Sequence, residues 1–172
     1  MKKWVLLVFA LSMILKLNAQ ASIGITVVVA PPPGASITMD SYIWDILFAN
    51  DGVTTYQNDN QGTMTIRSSD RKNFRVDFSS QNLGSLKQGT DYYVPYYIKA
   101  TRITGGNIGL VGTPAIVAGY VQLTSVQSME FNKKIPKEGI QFYIGIKIDP
   151  ISGEFYESGN YTDTLTITFV GL

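Results

Sequence analysis

Apolar and polar residues alternate with a period of two through much of this chain, as they do in strands whose successive side chains point to opposite sides. The cleanest run is residues 140–148. Ile140, Phe142, Ile144, Ile146 and Ile148 fall on one face and Gln141, Tyr143, Gly145 and Lys147 on the other. Residues 161–172 repeat the pattern, with Tyr161, Leu165, Ile167 and Phe169 opposed to Thr162, Thr164, Thr166 and Thr168. Threonine suits an outer face, because its β-branch favours the strand and its hydroxyl tolerates water. Asp163 falls in the inward register, where a carboxylate requires a hydrogen-bond or cationic partner. The two strands are joined by a turn at residues 149–153 and are expected to pair as a hairpin.

Residues 22–30 alternate as well: Ile23, Ile25, Val27 and Val29 share one face. Pro31-Pro32-Pro33-Gly34 ends the run, since proline donates nothing to a ladder and a proline run prefers an extended, stiff conformation. This segment reads either as the first strand of the body or as an extension set apart from it. Residues 36–49 predict a strand, although Ile43, Ile46 and Leu47 are also spaced for a helical turn. A turn at Asn50-Asp51-Gly52 and a polar loop over residues 57–62 follow. Strands are predicted at 63–67 and 73–79, joined by a hairpin loop at 68–72. The tyrosine-rich run 91–100 is a strand that Pro95 demotes to an edge or a bulge. Glycine-rich residues 105–112 precede a strand at 115–123. Residues 130–135 then lead through Pro136-Lys137-Glu138-Gly139 into the 140–148 strand.

No amphipathic helix and no 20 to 50 residue repeat stands out after residue 21. The pattern predicts an all-β, antiparallel, immunoglobulin-like sandwich with Ile140, Phe142, Ile144, Ile146, Leu165, Ile167 and Phe169 in its core.

Length and charge narrow the classes. The 172 residues, 45% hydrophobic and 16% charged, suit one globular domain rather than a disordered chain or a basic nucleic-acid binder. Lys2 and Lys3, the apolar run from Trp4 to Leu15 and Ala19-Gln20-Ala21 have the order of a secretory signal, with cleavage expected after Ala21. A retained anchor would need a longer apolar run, and Lys16 interrupts this one. Cleavage removes three of 14 basic residues and leaves 11 against 13 acidic ones, a net charge of −2. The expected organisation is a signal at 1–21, an extension at 22–33 and a sandwich at 34–172, secreted or on the cell surface. Membrane contact is expected only through the signal, and no nucleic acid is expected as a partner.

Candidate chemistry is sparse. The chain has no cysteine and no histidine, so thiolate sites, disulfides and the commonest general base are missing. Gly105 to Gly112 lacks the G-K-[ST] ending of a phosphate loop. Asn58-Asp59-Asn60-Gln61-Gly62 carries oxygen ligands but no closing glutamate for calcium. Glu154, Glu157 and Asp163 gather near one turn without a visible cleft. No serine elbow is present. The expectation is a protein that is not an enzyme, with no catalytic residue, cofactor or tightly bound metal.

Gly159-Asn160-Tyr161-Thr162-Asp163-Thr164-Leu165-Thr166-Ile167-Thr168 resembles the terminal G-x-Y-x-D-x-L-x-V-x signature of spore coat protein U domains, which include the pilins of archaic chaperone/usher pili. The match covers about a dozen residues. Members of that family usually carry a disulfide, which this chain cannot form. The resemblance implies an incomplete sandwich, like subunits in a fibre, a periplasmic chaperone, an outer-membrane usher and polymerisation by donor-strand exchange. Ile23, Ile25, Val27 and Val29 are the candidate donor residues, spaced to fill successive pockets. Ile140, Phe142, Ile144, Ile146, Leu165, Ile167 and Phe169 are the candidate acceptor groove and core. In an isolated chain residues 22–30 should then project away or lie loosely on an edge, leaving the groove open. The alternative is a self-contained secreted domain binding carbohydrate or another surface ligand through Tyr92, Tyr93, Tyr96 and Tyr97. Whether the last strand has neighbours on both sides separates the two.

Overall fold

Eleven strands and one short helix follow from this patterning in a computed structural model that describes residues 21–68, 73–103, 106–150 and 155–172. In chain order they are β1 (Ala21–Ala30), β2 (Ala35–Met39), β3 (Ile43–Phe48), β4 (Tyr56–Ser68), β5 (Phe74–Ser80), β6 (Ser85–Gln88), β7 (Tyr92–Pro95), β8 (Tyr97–Arg102), α1 (Ala115–Ala118), β9 (Gln127–Phe131), β10 (Ile140–Ile148) and β11 (Gly159–Gly171). The first sheet runs β3-β1-β11-β5-β9, with β6 also on β11 and β7 on β6. The second runs β2-β4-β10-β8. The two pack face to face as an all-β sandwich.

The predicted core is the observed one. Ile140, Phe142, Ile144, Ile146, Leu165, Ile167 and Phe169 are all buried. Phe74 stacks on Phe131 at 4.6 Å and on Phe169 at 4.9 Å, and Phe142 meets Phe131 edge-on at 6.3 Å from the facing sheet. Such aromatic pairs add about 0.5 to 1.5 kcal/mol each beyond their burial.

Several pairings differ from expectation. β10 and β11 are not a hairpin: they belong to opposite sheets and face each other across the core. β4 and β5 are likewise split between sheets, so residues 68–72 close no hairpin, and 69–72 lie outside the described residues. The predicted strand 36–49 breaks at residues 40–42 into β2 and β3, one in each sheet. Asp40 fixes the break, its carboxylate accepting the Thr63 amide at 2.7 Å while its own amide donates to the Thr63 carbonyl at 3.1 Å. Pro95 marks another such transfer, because the chain leaves β7 in the first sheet and enters β8 in the second.

Residues 57–62 are part of β4 rather than a loop, yet they keep an irregularity. The register with β10 moves from Ile144↔Gly62 to Ile146↔Asn58, so residues 59–61 oppose Gly145 alone. Gly145 is small for a reason: a Cβ there would stand 2.7 Å from the Tyr120 hydroxyl, which donates to Asp59 at 2.6 Å. Residues 115–123 are not a strand. The Pro114 carbonyl accepts the Val117 and Ala118 amides at 2.9 Å each to form α1, and only Val121 bridges to Ile98. Glycine-rich residues 106–112 run beside β9, with Leu110 bridging Phe131, and so cover part of that sheet edge. Residues 1–20 of the expected signal and Glu154 lie outside the described residues, whereas Ala21, the expected last residue of the signal, opens β1 and is buried.

Candidate assembly site: the slot that holds β1

β1 lies in its own sandwich, hydrogen-bonded on both flanks. Ile23, Ile25, Val27 and Val29 are aligned with Tyr161, Asp163, Leu165 and Ile167 of β11, and Ile23 and Ile25 with Ile46 and Trp44 of β3. Ile23 and Ile25 are fully buried and Val27 nearly so, while Val29 is half-buried. The expectation of a projecting segment beside an open groove is therefore corrected, as is the division that set residues 22–33 apart from the body. The physical reason is burial: three apolar side chains held in water would forfeit about 1.5 to 3 kcal/mol each.

β11 has neighbours on both sides. β1 accompanies it from Gly159 to Thr168, and β5 and then β6 lie on the other flank. Of the described strand pairs, β1 with β11 alone is parallel. β1 leaves the slot at Ala30, opposite Thr168, and Pro31-Pro32-Pro33-Gly34 carries the chain across to β2 in the other sheet. Of the candidate groove residues, Leu165, Ile167 and Phe169 lie on β11 itself, whereas Ile140, Phe142, Ile144 and Ile146 lie in the facing sheet.

The slot's wall contains one buried charged group. Asp163 is 4% exposed and sits in register with Ile25. Its carboxylate accepts the Ser80 hydroxyl at 2.5 Å, the Tyr96 hydroxyl at 2.6 Å and the Asn82 amide at 3.0 Å. Ser80 in turn accepts the Gly84 amide at 2.6 Å. Residues 80–84 thus wrap the carboxylate, helped by positive φ angles of 55° at Leu83 and 73° at Gly84. At Gly84 no side chain fits, since a Cβ would stand 2.7 Å from the Leu123 amide nitrogen. The Tyr96 hydroxyl is held protonated far above its ordinary range by burial, by the Asp163 charge and by its hydrogen bond to that carboxylate. The inward register of Asp163 foretold a partner. Ser80, Asn82 and Tyr96 are 67 to 83 residues away in sequence and carried no signal of their role.

The tyrosine cluster does not converge. Tyr96 is fully buried against Asp163, and Tyr97 is half-buried on β8 in the other sheet. Tyr92 and Tyr93 are exposed on β7. The Tyr93 hydroxyl donates to the Thr90 carbonyl at 2.6 Å, and the Lys87 ammonium lies 5.1 Å from its ring centre. As a four-residue platform the prediction is corrected; the two exposed rings remain. The oxygen groups of the β4 irregularity serve local structure: Asp59 accepts from Tyr120 and from Gln57, and Asn58 accepts the Asn60 amide.

Among known proteins, no family model and no curated protein matches the sequence.

Proposed function

We propose that the protein is a structural subunit of a cell-surface fibre whose copies join by exchanging β1, its body an immunoglobulin-like sandwich that this strand completes. The observation that carries the reading is the position of β1: a strand inside the sheet, flanked by β3 and β11, but joined to the rest of the described body through one four-residue link. An identical strand from a second copy offers the same side chains to the same slot, so exchange conserves the buried contacts. The parallel ladder with β11 is also the weaker kind per residue, which lowers the barrier to leaving it. Extended, the link reaches about 13 Å, so an acceptor body must sit close by. Donation from each copy to the next does not close on itself and grows a fibre.

Export through a cleaved signal, a periplasmic chaperone and an outer-membrane usher belong to this reading through the resemblance of residues 159–168. The competing reading, a self-contained secreted binding domain, is favoured by one observation: β11 is flanked on both sides within its own chain. That flanking is supplied by the candidate donor itself, so the two readings part on whether β1 can be exchanged. The test uses purified residues 22–172, warmed or held in mild urea at high concentration, then followed by size exclusion and electron microscopy. A ladder of oligomers that disappears on deleting residues 22–30 is the expected result. A chain that stays monomeric throughout, or polymerisation that survives the deletion, overturns the proposal.

A further inference from the structure

A second site lies at the opposite edge, where the link enters β2. An open cleft of about 610 Å³ is lined there by Ser36, Arg67, Ser68, Lys134, Ile135 and Lys137, among others. Its size is that of small-molecule sites. Among its described lining residues three are cationic and none is acidic, while Glu138, next in sequence to Lys137, does not line it. Among the described residues Arg67, Lys134 and Lys137 have no ion pair; the salt bridges found there join Arg75 to Asp77 and Lys147 to Asp149. In a chain with nearly balanced charge, three unpaired cations around one cleft are a local excess.

The cleft is also held in shape. The turn bearing Lys137 is closed by the Gly139 amide donating to the Pro136 carbonyl at 2.9 Å. Gly139, at φ 93°, presses onto β4 so closely that a Cβ would stand 2.9 Å from the Ile66 carbonyl oxygen and 3.0 Å from Arg67 Cγ. Lys137 and Arg67 are therefore fixed on adjoining backbone. Ile135 supplies a buried apolar wall. The Ser68 hydroxyl is buried and has no hydrogen-bond partner, so rotation of its side chain toward a ligand oxygen in the cleft satisfies an unmet group.

We propose that this cleft binds an acidic sugar unit, its carboxylate or sulfate held by Arg67, Lys134 and Lys137, its ring against Ile135, and a hydroxyl on Ser68. Arginine offers a carboxylate two parallel bonds, and the lysines add point charge. The three cationic side chains are exposed, so the attraction is salt-dependent. The site stands on the body alone and does not depend on exchange of β1.

The test is titration of residues 22–172 with trigalacturonate, followed by amide chemical shifts, with a neutral trisaccharide and inorganic sulfate as controls. Trigalacturonate should move the amides of residues 34–36, 67–68 and 134–137. Its affinity should fall at least about tenfold between about 20 and about 300 mM salt. Arg67→Gln/Lys134→Gln/Lys137→Gln, a surface variant expected to keep its melting temperature, should lose binding by at least about tenfold, each single change less and Ser68→Ala about threefold. The neutral sugar should leave the amides unmoved. Absent shifts, shifts elsewhere, or undiminished binding to the triple variant overturn the site; sulfate binding as tightly as trigalacturonate overturns the sugar assignment.

Discussion

β1 and β10 carry nearly the same code, alternate aliphatic residues facing one core, yet the fold treats them differently. β10 sits between β4 and β8, antiparallel to both, with chain leading in and out of the body at each end. β1 sits between β3 and β11, parallel to one of them, and only its Ala30 end is followed by the described body. Burial is comparable: Ile23 and Ile25 are as inaccessible as Ile144 and Ile146. Hydrophobic pattern therefore reports how deeply a strand is buried, while connectivity is what separates β1 from β10, and the proposed exchange turns on it.

The largest effect that tests this contrast is removal of β1. Deleting residues 22–30 removes the strand paired with Trp44, Ile46 and Leu165, and the variant should lose its cooperative melt by circular dichroism. A synthetic peptide of residues 21–30 added in trans should restore a soluble body. A variant that melts like the intact chain would show that the body does not need β1, and one that no peptide rescues would place β1 in the same class as β10.

Within the strands, Ile144→Ala should cost about 2 to 5 kcal/mol in urea unfolding, the range for emptying a packed site. Val29→Ala, at the half-buried end of β1, should cost under about 1 kcal/mol. Reversal of that order would show that β1 carries the stability and β10 does not.

A third test addresses the carboxylate in the slot wall. Tyr96→Phe removes one donor to Asp163 and should cost about 1 to 2 kcal/mol near neutral pH. Because folding raises the Tyr96 pKa, the contribution of this group is full below the ordinary tyrosine value of 10.0 and is lost as pH rises beyond it. The intact chain should therefore destabilise more steeply than Tyr96→Phe in denaturant melts above pH 10.0. Parallel curves would show that Tyr96 ionises without linkage to folding.

Hydrogen exchange reads the contrast without any mutation. Amides of β1 should exchange through a partial opening of lower free energy than those of β10, which should require global unfolding. Equal protection would tie β1 to the body and remove the basis for exchange.

The smallest effect lies away from both strands. Asp51 accepts the Thr54 hydroxyl and the Thr54 and Val53 amides, which hold its pKa at about 2, below the usual 3.8. Its stabilisation of the turn is present above the usual value and fades as pH falls toward about 2. A carboxyl titration by carbon NMR should show the depressed midpoint, rising in Thr54→Val.

Inward faces were legible from the sequence because burial and period two constrain each residue locally; Ile140 to Ile148 and Leu165 to Phe169 needed no partner to be read. Partners were not legible. β10 and β11 present equivalent faces whether they lie side by side or across the core, and sequence proximity favoured the wrong choice. β3 failed for the same reason, since a turn of three residues at 40–42 moves it to the other sheet. The run 115–123 is β-like in composition, but Pro114 and the alanines around Ile116 close one helical turn instead. At the slot, the inward faces of Ile23, Ile25 and Val27 and the inward Asp163 could be read, while the occupant of the slot and the Ser80–Asn82–Tyr96 cradle could not, because they depend on contacts remote along the chain.

The junction of β1 with the described body at its Ala30 end has a mechanical consequence. A pull transmitted through Pro31-Pro32-Pro33-Gly34 arrives at Ala30 along the strand axis, so it shears the ladders to β3 and β11 rather than peeling them bond by bond. Shear loads many bonds together, and resistance to it is set by a rate of rupture rather than by equilibrium stability. A chain without cysteine has no covalent clamp to share that load. Its tensile strength along this axis rests on the length of the zipper, ten residues from Ala21 to Ala30.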